Sequence, residues 1–347
     1  MTSPAPRHLL DVADLSAADV RHVLDLAARP PEELGRPLAG AGAALIFEKP
    51  SARTRHSTEM AVVQLGGHPV YTRGEEVGFD VREPVEDVTR ILQGYHRLLA
   101  ARVFEHSVLE RMVAVADVPV LNMLSDRSHP LQALADALTM EQALGRPLAG
   151  VPVAWVGDYN NVARSLGEIC VLLGAELRLA CPVDYGPDEV ELERLALLGA
   201  GTVTLTDRPA DAVAGAAAVH ADTWVSMGQE ADKQTRKQAF EGFTVGDELM
   251  DLAAPDGVFL HCLPAYREVE ELGLVAHGAL ADQSGDGLLA LLLDAHRRTP
   301  VGCVCRSLTR PPPIRRRAGR RWRRGPSAAG CDPAGTRRCG ARRSPTP

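Results

Sequence analysis

The chain has 347 residues, 45% of them hydrophobic and 4% aromatic, with a formal net charge of −7. That apolar content can fill the cores of two domains, and no run reaches the roughly 18 uncharged apolar residues of a membrane-spanning helix. Seven cysteines without regular spacing do not read as a disulfide framework, and MTSPAPRHLLDVADLS has no apolar signal core, so a reducing cytoplasm is expected.

The chain opens with a capping-box pattern, Ser16 followed by Asp19, which predicts a helix through Ala28. AALIF (43–47) reads as a buried strand, and FEKPSARTRHSTEM (47–60) follows it directly. A plain strand-to-helix turn does not need Ser51, Arg53, Thr54 and Arg55 together. A helix starting near Arg53 offers free backbone N–H groups to an anion. Ser51 and Thr54 add hydroxyls, and Arg53 adds a fork suited to phosphate oxygens. The sequence is not a P-loop, because G-x-x-x-x-G-K-[ST] is absent.

Further strands are expected at 98–104, 118–122, 151–157, 176–181, 202–205, 217–221 and 257–262. Between them lie helix-length segments at 53–66, 86–95, 130–144, 161–173 and 187–198. This alternation predicts an α/β fold of parallel sheets covered on both faces. The hexapeptide GRPLAG occurs at 35–40 and again at 145–150, each time just ahead of an apolar strand. Two similar doubly wound (Rossmann-like) domains are therefore expected, 1–147 and 148–296, with ligands beyond the carboxyl ends of the strands.

From Arg297 to the end the chain carries 15 Arg, no Lys and one acid, Asp332, whereas the rest holds 44 acidic and 23 basic residues. With almost no apolar periodicity, 297–347 is expected to be a disordered tail. Cys303 and Cys305 lie within it and do not make a zinc-ligand spacing. No metal or organic cofactor is expected.

FEKPSARTR resembles the carbamoyl-phosphate motif of the aspartate and ornithine carbamoyltransferases, usually Ser-Thr-Arg-Thr-Arg, with Ala52 here in place of Thr. The same resemblance continues through Arg102 in AARVFEH and through His129, Pro130 and Gln132 in SHPLQALADALT. Asn160 and Asn161 in WVGDYNNVARSL, ADTWVSMGQE (Asp222, Ser226, Met227) and FLHCLPAYR (His261, Cys262, Leu263, Pro264) are similar to the ornithine branch of that family.

The resemblance implies transfer of a carbamoyl group from carbamoyl phosphate to the δ-amine of L-ornithine, giving L-citrulline and phosphate, a step of arginine metabolism. It implies Ser51, Ala52, Arg53, Thr54, Arg102, His129, Gln132, Cys262 and Leu263 around carbamoyl phosphate. Asn161, Asp222, Ser226 and Met227 fall around ornithine, with Arg102, His129 and Cys262 as catalytic residues. It also implies a homotrimer or a multiple of trimers, and neither membrane nor nucleic-acid partners are expected.

The resemblance covers roughly 8–267. The family's later Glu-Asn-Arg segment has no counterpart, since no Asn follows Asn161, and a frame-shifted 3′ end is one expectation. The alternatives are a non-catalytic or weakly active carbamoyl-phosphate-binding homologue, a carbamoyltransferase for a related amine, or a nucleic-acid binder acting through the Arg-rich tail.

Overall fold

The structure, a computed structural model, describes residues 7–224 and 233–263. The Arg-rich tail, Ser226 and Met227 lie outside the described residues.

The first half runs α1 (Ala17–Ala27), β1 (Gly42–Phe47), α2 (Ala52–Gln64), β2 (His68–Arg73), α3 (Gly74–Val77), α4 (Val85–Leu92), β3 (His96–Arg102), α5 (His106–Val113), β4 (Val120–Leu124) and α6 (Pro130–Leu144). The second runs β5 (Pro152–Val156), α7 (Asn161–Leu172), β6 (Glu176–Ala180), α8 (Glu189–Ala196), β7 (Thr202–Thr206), α9 (Pro209–Val213), β8 (Ala218–Asp222), α10 (Lys233–Ala239), α11 (Asp247–Met250) and β9 (Val258–Cys262).

The strands form two sheets, ordered β2-β1-β3-β4 and β7-β6-β5-β8-β9, with parallel pairing in both. Parallel strands need crossovers, and the helices supply them. The inner strands read as continuous apolar runs because helices cover both faces. Ala43, Ala44, Leu45 and Ile46 of β1, for example, are all 0% exposed. Chain order reverses beside β1 and beside β5, which makes two switch points where ligands bind in open α/β sheets.

Both GRPLAG copies make the same turn. Gly35 and Gly40 have φ of 73° and 72°, and Gly145 and Gly150 have 64° and 69°. This left-handed backbone strains any residue with a Cβ, so the repeat is a shared piece of backbone geometry at the entrance to β1 and β5. The expected capping box also forms. Ser16 Oγ accepts from the Asp19 N–H at 3.2 Å, and Asp19 Oδ2 accepts from the Ser16 N–H at 3.1 Å.

Besides the short helices α3, α9, α10 and α11, two elements are not expected from the sequence. β2 (HPVYTR) is an edge strand with a half-exposed, alternating pattern, and a Pro inside it obscures the strand signal. α5 is short, and its buried residues His106, Val108, Leu109 and Met112 include a polar one, which blurs its periodicity. Strand ends also shift: β3 stops at Arg102, and β4 starts at Val120 rather than at Val118.

Helix α6 joins the two halves. Its residues from Pro130 to Met140 are all buried, and Leu131, Leu134 and Leu138 share one apolar cluster with Val162, Leu166 and Ile169 of α7. A helix covered all round has no polar face to give it amphipathic periodicity. Its first turn lies where both sheets present their strand ends.

Candidate active site

The first switch point sits between β1 and β3, where Phe47 and Arg102 are register partners and Glu48 N–H donates to the Arg102 carbonyl at 2.9 Å. Ser51 then caps α2. Its Oγ accepts from the Thr54 N–H at 3.3 Å and from the Thr54 hydroxyl at 2.8 Å. Thr54 Oγ1 in turn accepts from the Arg102 guanidinium at 3.2 Å. Thr54 is fully buried and Arg102 is 9% exposed. One hydroxyl thus ties a strand-end cation to a helix N-terminus, an arrangement that favours an anion.

Ala52 is exposed in the first turn and Arg53 is half-buried beside it. Arg55 turns elsewhere: its Nε donates to Glu59 Oε1 at 2.8 Å, and its guanidinium stacks 3.7 Å from the Tyr71 ring centre. Lys49 is half-buried close by. Burial, followed by the charge of Arg102, lowers its pKa.

His129 stands at the N-cap of α6, with Pro130 as the first helical residue. Its backbone N–H donates to Ser165 Oγ of α7 at 2.9 Å. The ring is buried, and burial together with the Arg102 charge holds its pKa down at about 3. The imidazole is therefore neutral near pH 7, and its Nδ1 has no hydrogen-bond partner among the described residues. The turn before it is held by Asn122, whose side-chain NH2 donates to Leu10 O at 2.8 Å and Ser128 Oγ at 3.1 Å.

At the second switch point Asp222 of β8 and Cys262 of β9 are register partners. Asn160 caps α7, its Oδ1 accepting from the Val162 and Ala163 N–H groups at 3.0 Å each. The same side chain donates through Nδ2 to Asp222 Oδ2 at 2.8 Å. Asn161 Nδ2 donates to the Ser125 carbonyl at 2.6 Å, reaching across to the turn before His129. The Cys262 thiol contacts Gln132 Oε1 at 3.6 Å, and Leu263 follows, half-buried.

Ser51, Thr54 and Arg102 are thus bonded to one another, Gln132 meets Cys262, and Asp222 sits beside Cys262. His129 senses the Arg102 charge. Ser226 and Met227 lie outside the described residues. The sequence reading assigned no role to Asn160, Ser165, Asp136 or His220. Asn160 carries a helix-start signal, being an Asn directly before an apolar periodic run, whereas the contacts of the other three are tertiary. Among the described residues no group of three or more His, Cys, Asp or Glu is placed to hold a metal ion, and no helix is long and apolar enough to cross a membrane.

Known proteins resemble both halves of the chain. Residues 7–142 match the family model described as aspartate/ornithine carbamoyltransferase, carbamoyl-P binding domain, and residues 149–278 match its Asp/Orn binding domain. The ornithine carbamoyltransferase of Thermus thermophilus is 46% identical over 275 residues, 79% of this chain and 89% of its own length. That of Hyperthermus butylicus is 43% identical over 282 residues, 78% of this chain and 90% of its own. The solved ornithine carbamoyltransferase of Pyrococcus furiosus superposes with a TM-score of 0.74 at 37% identity, covering 84% of this chain and 95% of that one.

Proposed function

The chain belongs to the aspartate/ornithine carbamoyltransferase family, and on that premise we propose that it transfers the carbamoyl group of carbamoyl phosphate to the δ-amine of L-ornithine. The products are L-citrulline and phosphate. The observation that carries this reading is the Ser51–Thr54–Arg102 constellation at the start of α2, with Asp222 and Cys262 paired at a strand end of the second sheet.

In this reading the phosphate lies against the free N–H groups of α2 with Ser51, Ala52 and Thr54, and Arg53 supplies a charged fork. Arg102 and the neutral His129 polarise the carbamoyl oxygen. The ornithine amine attacks the carbonyl carbon and the oxygen takes up negative charge. Donors aimed at such developing charge contribute about 3 kcal/mol each. The bond from carbon to the bridging oxygen then breaks, phosphate leaves with the electron pair, and the surplus amine proton ends on the phosphate. Gln132 and Leu263 bound the carbamoyl end.

Asp222 and Cys262 line the approach of the amine, and Asn161, Ser226 and Met227 hold the amino-acid end of ornithine. An acidic Asp222 suits an incoming amine and repels the second carboxylate of aspartate. A cytoplasmic location and a homotrimer, the latter implied by the family resemblance, belong to the same proposal, and sedimentation equilibrium tests its oligomeric part.

The test of the reaction is product identity. The chain is incubated with carbamoyl phosphate and either ornithine or aspartate. Citrulline is the expected product, and predominant carbamoyl-aspartate would overturn the assignment.

A further inference from the structure

Behind Gln132 lies a buried polar chain that the reaction as written does not use. Asp136, one turn further along α6, is 0% exposed, as is His220 on β8, and Gln132 is 1% exposed. The two Asp136 oxygens have different partners. Oδ1 accepts from Gln132 Nε2 at 2.9 Å, and Oδ2 meets His220 Nε2 at 2.9 Å. The His220 ring is stacked on Trp155, with centroids 5.2 Å apart and planes at 25°.

A carboxylate oxygen accepts and cannot donate. Gln132 must therefore turn its NH2 toward Asp136, because the flipped amide sets oxygen against oxygen. Its carbonyl then points the other way, toward the strand end, where it meets the Cys262 thiol at 3.6 Å. His220 is fixed in the same manner. Its Nε2 carries the proton, while Nδ1, with no partner among the described residues, is a lone pair rather than a stranded N–H.

From this geometry we infer that Asp136 is a positioning residue that sets substrate specificity: it locks the Gln132 amide so that the site presents an acceptor, never a donor, to the carbamoyl end of the ligand. The acceptor suits the NH2 of a carbamoyl group. It offers nothing to the methyl group of an acyl phosphate of the same shape. Because His220 belongs to the second sheet and Asp136 to α6, the lock also spans the two halves.

The inference rests on the carbamoyl-phosphate reading above, and a comparison of two ligands separates them. Equilibrium binding of carbamoyl phosphate and of acetyl phosphate is measured on the full chain, on Asp136→Ala and on Asp136→Asn. The parent is expected to prefer carbamoyl phosphate by about tenfold, the worth of one hydrogen bond. In Asp136→Ala, water fills the space and can donate or accept, so the amide direction is no longer dictated. That preference should shrink to within about twofold, with acetyl phosphate affinity unchanged. Asp136→Asn should lose the preference as the alanine variant does, because its oxygen can serve the His220 Nε2–H while its NH2 turns to Gln132, which permits the opposite amide direction. If Asp136→Ala does not fold, Asp136→Ser, whose hydroxyl also enforces no direction, is measured with the same expectation.

A parent that binds neither ligand refutes the functional reading, and the inference with it. A parent that binds both ligands equally overturns the inference alone, as does an alanine variant that keeps the parent's preference or loses both ligands in equal measure.

Discussion

The Arg102 guanidinium donates to Thr54 Oγ1 at 3.2 Å, so a strand-end cation and a helix N-terminus 48 positions apart in sequence act on one spot. Thr54 also donates to Ser51 Oγ at 2.8 Å, which orients its hydroxyl with the lone pairs toward Arg102. Thr54→Val keeps the shape and removes the hydroxyl. It should lower kcat about tenfold or more by loosening Arg102, with a stability loss of only about 1 kcal/mol. Steady-state kinetics beside a denaturant melt checks both. An unchanged kcat would show that Arg102 does not depend on Thr54.

Arg53 is half-buried at the start of α2, and the proposal turns it toward the phosphate. Arg53→Ala removes a charge-assisted contact of about 1.5 to 3 kcal/mol, so carbamoyl phosphate should bind roughly ten- to hundredfold more weakly. The melting temperature should stay near the parent's. Calorimetric titration gives the affinity, and equal affinities would remove Arg53 from the site.

The Ser51–Thr54 contact was legible in the sequence because it is local, packed into one strand-to-helix turn. The inner strands were legible for a similar reason: being buried on both faces, they read as apolar runs. The edge strand β2 was not, since one side of it meets solvent. Nor was the Asp136–His220 contact, which joins residues 84 positions apart inside an otherwise apolar helix environment. Asn160 shows an intermediate case. Its capping role follows from its place before a helix, whereas its bond to Asp222, 62 positions on, is fixed only when β8 pairs beside β5.

Glu168 gives a prediction on stability. It is fully buried on α7, accepting from Arg194 at 2.8 Å and from the Ala13 N–H at 3.2 Å. Burial, followed by the neighbouring Asp11 carboxylate, pushes its pKa from 4.5 up to about 8, against the pull of Arg164 and Arg194. The folded chain therefore binds this proton more tightly than the unfolded one. Its contribution to stability is complete below about pH 4.5 and is lost as pH rises through about 8. Glu168→Gln is neutral at every pH and removes that slope. The melting temperature of the variant minus that of the parent should increase from pH 5 to pH 8.5, and a flat difference would mean that Glu168 does not titrate there.

The last prediction separates the two tasks of Asn160. Its Oδ1 caps α7, and its Nδ2 holds Asp222 at 2.8 Å. Asn160→Ser keeps a good capping oxygen but is too short to reach Asp222, whereas Asn160→Ala loses both. The Ser variant should melt close to the parent, while the Ala variant should lose about 1 kcal/mol for the missing cap. Both should remove one hold on Asp222, so both should raise KM for ornithine by a similar factor, about three- to tenfold for one lost positioning hydrogen bond. Carbamoyl phosphate affinity should change little in either, because the groups proposed to hold its phosphate, Ser51, Arg53 and Thr54, lie at the other switch point. The pattern to look for is one ornithine effect shared by two variants of different stability. If the KM change instead follows stability, large in Ala and absent in Ser, then Asn160 serves the helix alone and Asp222 holds its place without it.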